Sequence, residues 1–221
     1  MNKIQSFLIN IIYPNRCIFC NEVIEYDKIS CNKCSEFVKP YDIDDAICEN
    51  NRSDSKIDMA ICVYGYDMGV ENAVRNLKFY GVKYNAAKMA EAIYNQIKTV
   101  IGEEPFDYVI PVPMTKKDKK KRGYNQSELI CKSLSELYSM NYDNNILVKI
   151  IQNKKQHDLD KYDREKNIKN VYAVIDKDKI NGKTILIIDD VYTTGATLRE
   201  CAKELKQNGA NKIYAAVYAK A

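Results

Sequence analysis

Several absences narrow this chain before any motif is considered. No apolar run in the 221 residues approaches the ~20 that a membrane-spanning helix needs. Ile4, Phe7, Leu8, Ile11 and Ile12 share one helical face at the start of the chain. A secretory signal would show a longer apolar core and a small-residue cleavage site, so a short docked helix and a cytoplasmic location are expected. There is no internal repeat and no low-complexity tract. No G-x-G-x-x-G occurs, which removes the dinucleotide fingerprint, and Gly182-Lys183-Thr184 lacks the glycine five positions earlier that a Walker A loop requires. Histidine is nearly absent: His157 stands alone in a polar stretch and is not singled out as an acid or base.

What is present suits a folded chain. Hydrophobic residues make up 46% and charged residues 29%, which argues against disorder. The length allows one α/β domain and a small appendage. A net charge of +4 is too small to imply a nucleic-acid partner. Its distribution is more telling. Residues 1–58 carry seven Lys/Arg against ten Asp/Glu, whereas 116–122, KKDKKKR, hold six cations and one acid. Such a run is either a solvated loop or a contact surface for something anionic.

Cysteine is distributed unevenly. Cys17, Cys20, Cys31 and Cys34 form C-x₂-C-x₁₀-C-x₂-C, while Cys48, Cys62, Cys131 and Cys201 are scattered. Two C-x-x-C turns offer four thiolates to one ion, which predicts a closed, structural Zn²⁺ site. Metal binding would fold a segment too small to own a core. A redox dithiol would sit in a βαβ context, which is missing here. Cys62, Cys131 and Cys201 fall on apolar faces and read as core.

Residues 1–58 are taken as an N-terminal helix, cysteine module and linker, with 42–58 read as an acidic linker or loop, and 59–221 as the main domain. There, strands are expected at 59–66, 107–113, 146–151, 171–175, 183–189 and 212–219. Helices are expected at 69–79, 84–100, 125–138 (Leu129, Ile130, Leu134 and Leu137 inward) and 195–208. Alternating strands and helices imply a mostly parallel sheet with flanking helices, whose ligands sit beyond the C-terminal strand ends.

Residues 185–198, ILIIDDVYTTGATL, are the most specific segment. An apolar strand runs into Asp189 and Asp190, and Thr193-Thr194-Gly195-Ala196-Thr197 then opens a helix. Unpaired N–H groups and the positive dipole at a helix start favour phosphate, and a glycine lets the backbone approach it. Two carboxylates upstream would repel phosphate, so vicinal sugar hydroxyls are their natural partners. Simple helix capping needs one such residue and leaves the pattern unexplained. A second segment, Pro111-Val112-Pro113-Met114 followed by the basic run and Arg122-Gly123-Tyr124-Asn125-Gln126, supplies a cation-lined loop suited to pyrophosphate. Lys155, Gln156 and Arg164 lie on a long polar stretch, 152–170, of the kind that closes over substrates or merely connects elements.

The DDVYTTGAT box is similar to the phosphoribosyl-diphosphate signature of type I phosphoribosyltransferases. With PVP…RGYNQ, K-Q-x-x-L-x-x-x-x-R-x-x-N and the cysteine module, the chain resembles the ComF family, the competence-associated branch of these proteins. That resemblance implies the type I phosphoribosyltransferase fold, with Asp189 and Asp190 on the ribose and residues 193–197 on the 5′-phosphate. It implies Mg²⁺ bridging pyrophosphate and ribose oxygens. One departure is visible: family members often carry a second cysteine pair, and this chain has only Cys48, so a second metal site is not expected.

Two functions remain open. One is transfer of ribose 5-phosphate to a nitrogen nucleophile, with Asp189, Asp190 and Arg122 as the catalytic candidates. The other, suggested by the ComF resemblance, is single-stranded-DNA binding during DNA uptake, with Lys116, Lys117, Lys119, Lys120 and Lys121 as contacts and other competence proteins as partners. A zinc-module adaptor with a vestigial ligand site is the weakest alternative, because the box is intact.

Overall fold

Ile185-Leu186-Ile187-Ile188 is apolar on both faces, the mark of a strand covered on both sides. All four residues are fully buried on an interior strand of a five-stranded sheet. The computed structural model describes residues 14–25, 27–67, 69–102, 106–150 and 171–221. Its strands are β1 (Ile47–Asn50), β2 (Met59–Gly65), β3 (Tyr108–Pro111), β4 (Leu147–Lys149), β5 (Tyr172–Val174), β6 (Thr184–Tyr192) and β7 (Lys212–Lys220). The main sheet has the order β1-β2-β7-β6-β3, and β4 and β5 form a separate antiparallel pair. Strands β2, β7, β6 and β3 are mutually parallel, and β1 joins β2 antiparallel.

The helices are α1 (Asn32–Phe37), α2 (Ile43–Ala46), α3 (Val70–Phe79), α4 (Asn85–Val100), α5 (Lys116–Arg122), α6 (Gln126–Tyr138), α7 (Lys177–Ile180) and α8 (Ala196–Gln207). Because side chains alternate along a strand, the sheet makes two cores. Leu186 and Ile188 pack with Val74, Leu77, Met89, Ile93, Ile130 and Leu134 of α3, α4 and α6. Ile185 and Ile187 pack with Leu198, Cys201 and Leu205 of α8 and with Tyr172 of β5. Each such residue contributes about 1.5–3 kcal/mol through burial. Cys62, Cys131 and Cys201 are all core residues.

Four expectations need correction. Residues 42–58 are more than a linker: α2 and β1 lie within them, and β1 forms the sheet edge. Four residues with a bulge between Ile47 and Glu49 are too short and irregular to announce a strand. The basic run 116–122 is a helix, not a loop. Thr115 accepts from the Asp118 N–H at 3.1 Å and Gly123, at φ +88°, ends it. Lys and Arg are good helix formers, but a run polar all round carries no apolar period. Leu137 does not face inward and is 54% exposed. Finally, β6 continues past the expected end at 189 to Tyr192, so Asp189 and Asp190 lie within the strand rather than at its end. The helix expected in the first residues and the stretch 152–170 lie outside the described residues.

Candidate functional site

The parallel strands place their C-terminal ends on one side of the sheet, where Tyr192 pairs with Lys220 and β3 ends at Pro111, opposite Ile188. From this side residues 193–195 lead into α8, whose N-cap is Gly195 at φ +74° and so offers no side-chain cap of its own. The Ala196 N–H donates to Thr194 Oγ1 at 3.3 Å. An added Cβ on Gly195 would stand 2.6 Å from Tyr192 Cζ and 2.7 Å from Arg199 Nη1, so both backbone angle and space call for glycine. Thr193 is exposed, Thr194, Ala196 and Thr197 are half-buried, and Gly195 is buried.

Asp189 and Asp190 point to different partners, as adjacent strand residues must. Ser127 Oγ, in the first turn of α6, donates to Asp189 Oδ1 at 2.8 Å, and the Asp190 N–H donates to the same oxygen at 2.9 Å. Burial, and next to it the charge of Asp190, push the Asp189 carboxyl up to about 7, against Lys78 and the Ser127 bond. Asp190 is 3% exposed, and the Lys78 ammonium lies 3.0 Å from its Oδ2. Burial disfavours charge on Lys78, but Asp190 and Asp189 more than offset this and hold its pKa above the usual lysine value. Of the two acids, Asp189 is the more accessible to a ligand.

The second predicted segment is adjacent. The Val112 N–H donates to the Ile188 carbonyl at 2.9 Å, which sets the chain before Pro113 and Met114 beside Asp189. Pro113 and Met114 are half-buried. Arg122 donates to Gln126 Oε1 at 2.6 Å and lies 5.5 Å from the centre of the Phe79 ring, one residue from Lys78. Lys116, Lys117, Lys120 and Lys121 are exposed, whereas Lys119 is bound to the buried Glu128 at 2.6 Å. Lys155, Gln156 and Arg164 lie outside the described residues.

Sequence reasoning missed Lys78 and Ser127. Nothing in the pattern of α3 marks Lys78. For Ser127 a signal exists: Asn125-Gln126-Ser127-Glu128 has the form of a capping box, and Asn125 does accept from the Ser127 N–H at 3.1 Å. An open groove of about 440 Å³ lies at the other end of the strands beside Asp58 and Lys206. Ion pairs Arg52–Asp54 and Lys206–Asp58 occupy two of its cations.

The cysteine module forms a second centre. The Sγ atoms of Cys17, Cys20, Cys31 and Cys34 lie within 4.8 Å of one another, and Cys20 and Cys31 are 3.7 Å apart. A tetrahedron with ~2.3 Å zinc–sulfur bonds has edges of about 3.8 Å, so the four sulfurs fit the ion. Burial would raise Cys17, yet backbone N–H groups of Cys20, Cys31 and Phe19 bring it down to about 7. Burial and the neighbouring thiols push Cys34 up, so four thiolates need a cation to coexist. Phe19 meets Tyr64 edge-on at 5.8 Å, fixing the module to β2. Cys48 stands apart: its thiol and that of Cys62 both donate to the Ala46 carbonyl.

Residues 72–221 match the phosphoribosyl transferase domain. The chain belongs to that family. Its sheet and helices are the type I phosphoribosyltransferase fold, and residues 8–53 match the double zinc ribbon domain. The DNA utilization protein YhgH of Salmonella typhimurium is 28% identical over 156 residues, 69% of this chain and 68% of that protein. Competence protein F of Haemophilus influenzae is 34% identical over 106 residues, 48% of this chain and 46% of that one. The ComF resemblance is thus borne out. Among solved structures, the glutamine phosphoribosylpyrophosphate amidotransferase of B. subtilis is similar, with TM-score 0.38 and 18% identity over 61% of this chain and 25% of that one. No described helix is long and apolar enough to cross a membrane.

Proposed function

We propose that this ComF-type protein binds phosphoribosyl diphosphate at the C-terminal strand edge and transfers ribose 5-phosphate to a nitrogen nucleophile. One juxtaposition carries the reading. A carboxylate on the interior strand β6, Asp189, lies a few residues before a helix start whose N-cap is a glycine, and the neighbouring strand β3 leads through Pro113 and Met114 into α5, which ends at Arg122. The turn at residues 193–197, with a glycine as N-cap, is suited to a 5′-phosphate. Asp189, with Asp190 behind it, is suited to the ribose hydroxyls. Arg122 and the chain at Pro113-Met114 flank the place where pyrophosphate would lie, and Lys155, Gln156 and Arg164 belong to the stretch that would close over it. Magnesium would be held through substrate phosphates, which is its usual mode. The bond from ribose C1 to pyrophosphate breaks, a C1–N bond forms, and the nucleophile's proton is lost. The protein's part is to position the sugar and stabilise the departing charge.

Calorimetric titration with phosphoribosyl diphosphate and Mg²⁺ tests this. Saturable binding is expected, lost in Asp189→Asn/Asp190→Asn, followed by pyrophosphate release with a suitable base. A folded wild-type chain that does not bind overturns the reading.

One surface favours a role in handling single-stranded DNA as well. Phe79, Tyr80 and Tyr84 are 62%, 66% and 49% exposed; Arg122, at the end of α5, lies over the Phe79 ring, and Lys88 lies 5.7 Å from the centre of the Tyr84 ring. Exposed rings among cations suit base stacking along a phosphate backbone. Neutralising Lys116, Lys117, Lys120 and Lys121 together should weaken DNA binding and flatten its salt dependence. Binding indifferent to all four excludes α5 as the contact.

A further inference from the structure

Glu49 is an unusual residue for a sheet edge. It sits on β1, in the segment that joins the zinc module to the sheet, and is 4% exposed. A buried carboxylate is costly unless it is paired and hydrogen-bonded. Its Oε2 accepts from Tyr192 Oη at 3.0 Å and from Arg199 Nη1 at 3.2 Å. These partners are 143 and 150 residues away in sequence. Among the described residues Oε1 has no partner, so every polar contact of this carboxylate goes to those two side chains.

Both partners belong to the phosphate loop's support. Tyr192 is the last residue of β6, and Arg199 lies in the first turn of α8. Arg199 Nη2 donates to the Thr194 carbonyl at 2.7 Å, so one guanidinium holds Glu49 and the loop backbone at once. Its rigid fork permits this, and a lysine could not reproduce it. Gly195 rests directly on Tyr192 and Arg199. Because a trans peptide is planar, turning the Thr194 carbonyl down onto Arg199 turns the Gly195 N–H the opposite way, outward from the loop. Arg199 is thereby committed inward and neutralised, rather than offered to a ligand. Burial and the Glu49 charge push the Tyr192 phenol up to about 12, so it stays a donor at neutral pH.

We propose that Glu49 is a positioning residue for the phosphate loop, acting through Arg199 and Tyr192, so that the strand following the zinc module completes the 5′-phosphate site. The proposal rests on the reading of residues 193–197 as that site. It gives the N-terminal segment a part in ligand binding that does not depend on the segment touching ligand.

The experiment uses the full zinc-loaded chain with Glu49→Gln, Arg199→Lys and the double variant. Amide hydrogen exchange is measured without ligand, and affinities are measured for ribose 5-phosphate, phosphoribosyl diphosphate with Mg²⁺, and pyrophosphate with Mg²⁺. Exchange should rise at residues 194–197 but not along β7. Ribose 5-phosphate and phosphoribosyl diphosphate should each bind roughly tenfold more weakly, the scale on which groups that orient a binding residue act. Pyrophosphate binding should be unchanged, because it makes no use of the loop. The double variant should lose less than the sum of the two single losses, since the two residues share the Glu49–Arg199 contact and only the Tyr192 contact of Glu49 is independent of it. Unchanged loop exchange and affinities in a folded Glu49→Gln chain overturn the proposal, and so does an equal loss of pyrophosphate binding, which marks a general structural defect. Should Glu49→Gln fail to fold, Arg199→Lys alone decides by the same readouts. A wild-type chain that binds none of the three ligands removes the phosphate-site reading, and loop exchange then decides whether Glu49 holds the loop.

Discussion

Two turn-rich stretches of this chain do comparable work by opposite means. Residues 17–34 wind around four sulfurs, with Cys20 exposed, Cys31 and Cys34 half-buried, and α1 burying nothing. Residues 193–197 are no more regular, yet they hang from β6, whose Ile185–Ile188 are fully buried, and open onto α8. The module is held by its ion plus the contacts of Cys17, Ile18 and Phe19 with the sheet face. The loop is held by the sheet itself. If residues 193–197 hold the phosphate as proposed, a backbone that binds a ligand is shaped from beneath here, whereas the one that binds a structural ion is shaped from within.

The largest effect that would break this contrast is metal removal. Folding coupled to zinc in small modules is worth about 10 kcal/mol or more at neutral pH. Chelation, or Cys34→Ser, should abolish the single bound zinc and open residues 14–38 to protease, while amides of β6 and β7 remain protected. Metal analysis with limited proteolysis checks both halves. A chelated protein whose module resists cleavage would mean that Phe19 and its neighbours, not the ion, hold it.

Next comes the sheet. Ile187→Ala removes a fully buried side chain beneath the loop and should cost about 2–5 kcal/mol in urea unfolding. Loop and sheet should unfold together, with zinc affinity of the folded protein unaltered. Smaller in stability but decisive for binding, Gly195→Ala forces a Cβ onto Tyr192 and Arg199 at a positive φ. A cost of about 1–3 kcal/mol is expected, with ribose 5-phosphate binding lost in a chain still folded by circular dichroism.

The contrast also explains what the sequence could disclose. The cysteine spacing and the run from Ile185 to Thr197 are local: each packs its chemistry into fewer than twenty residues, and each was legible. The partners that give those residues their properties are remote. Lys78 meets Asp190 across 112 positions, and Ser127 meets Asp189 across 62. Neither pairing leaves a periodic trace, because a single polar residue near a helix end reads as surface. β1 was hidden for a related reason: four residues around a bulge gain strand character only from β2 beside them. The helical state of 116–122 was concealed by its uniform polarity, although Thr115, Asp118 and Gly123 carried the start and stop.

The smallest effect sharpens the comparison, because it belongs to the loop edge alone. Asp189 is raised to about 7, above all by burial, whereas an unfolded aspartate titrates near ~3.9. Between these values the native state keeps a proton that the unfolded chain has released, so stability must fall as pH rises and level off above the native value. Between pH 6 and 7 the loss should be about 1 kcal/mol, and Asp189→Asn should flatten it. Glu128 has the opposite sign. Burial would raise it, but the bonds from Lys119 and Lys132 hold it low, so its contribution is lost as pH falls into the acid range. Urea midpoints from pH 4 to 8, for the wild type and Asp189→Asn, separate the two terms. A wild-type profile with no decline between pH 6 and 7 would mean that Lys78 keeps Asp189 ionised, and that the carboxylate is already charged when a sugar hydroxyl arrives. A decline abolished by the substitution would mean that ligand hydroxyls donating to Asp189 must displace its proton, so binding near pH 6 should release one to the buffer.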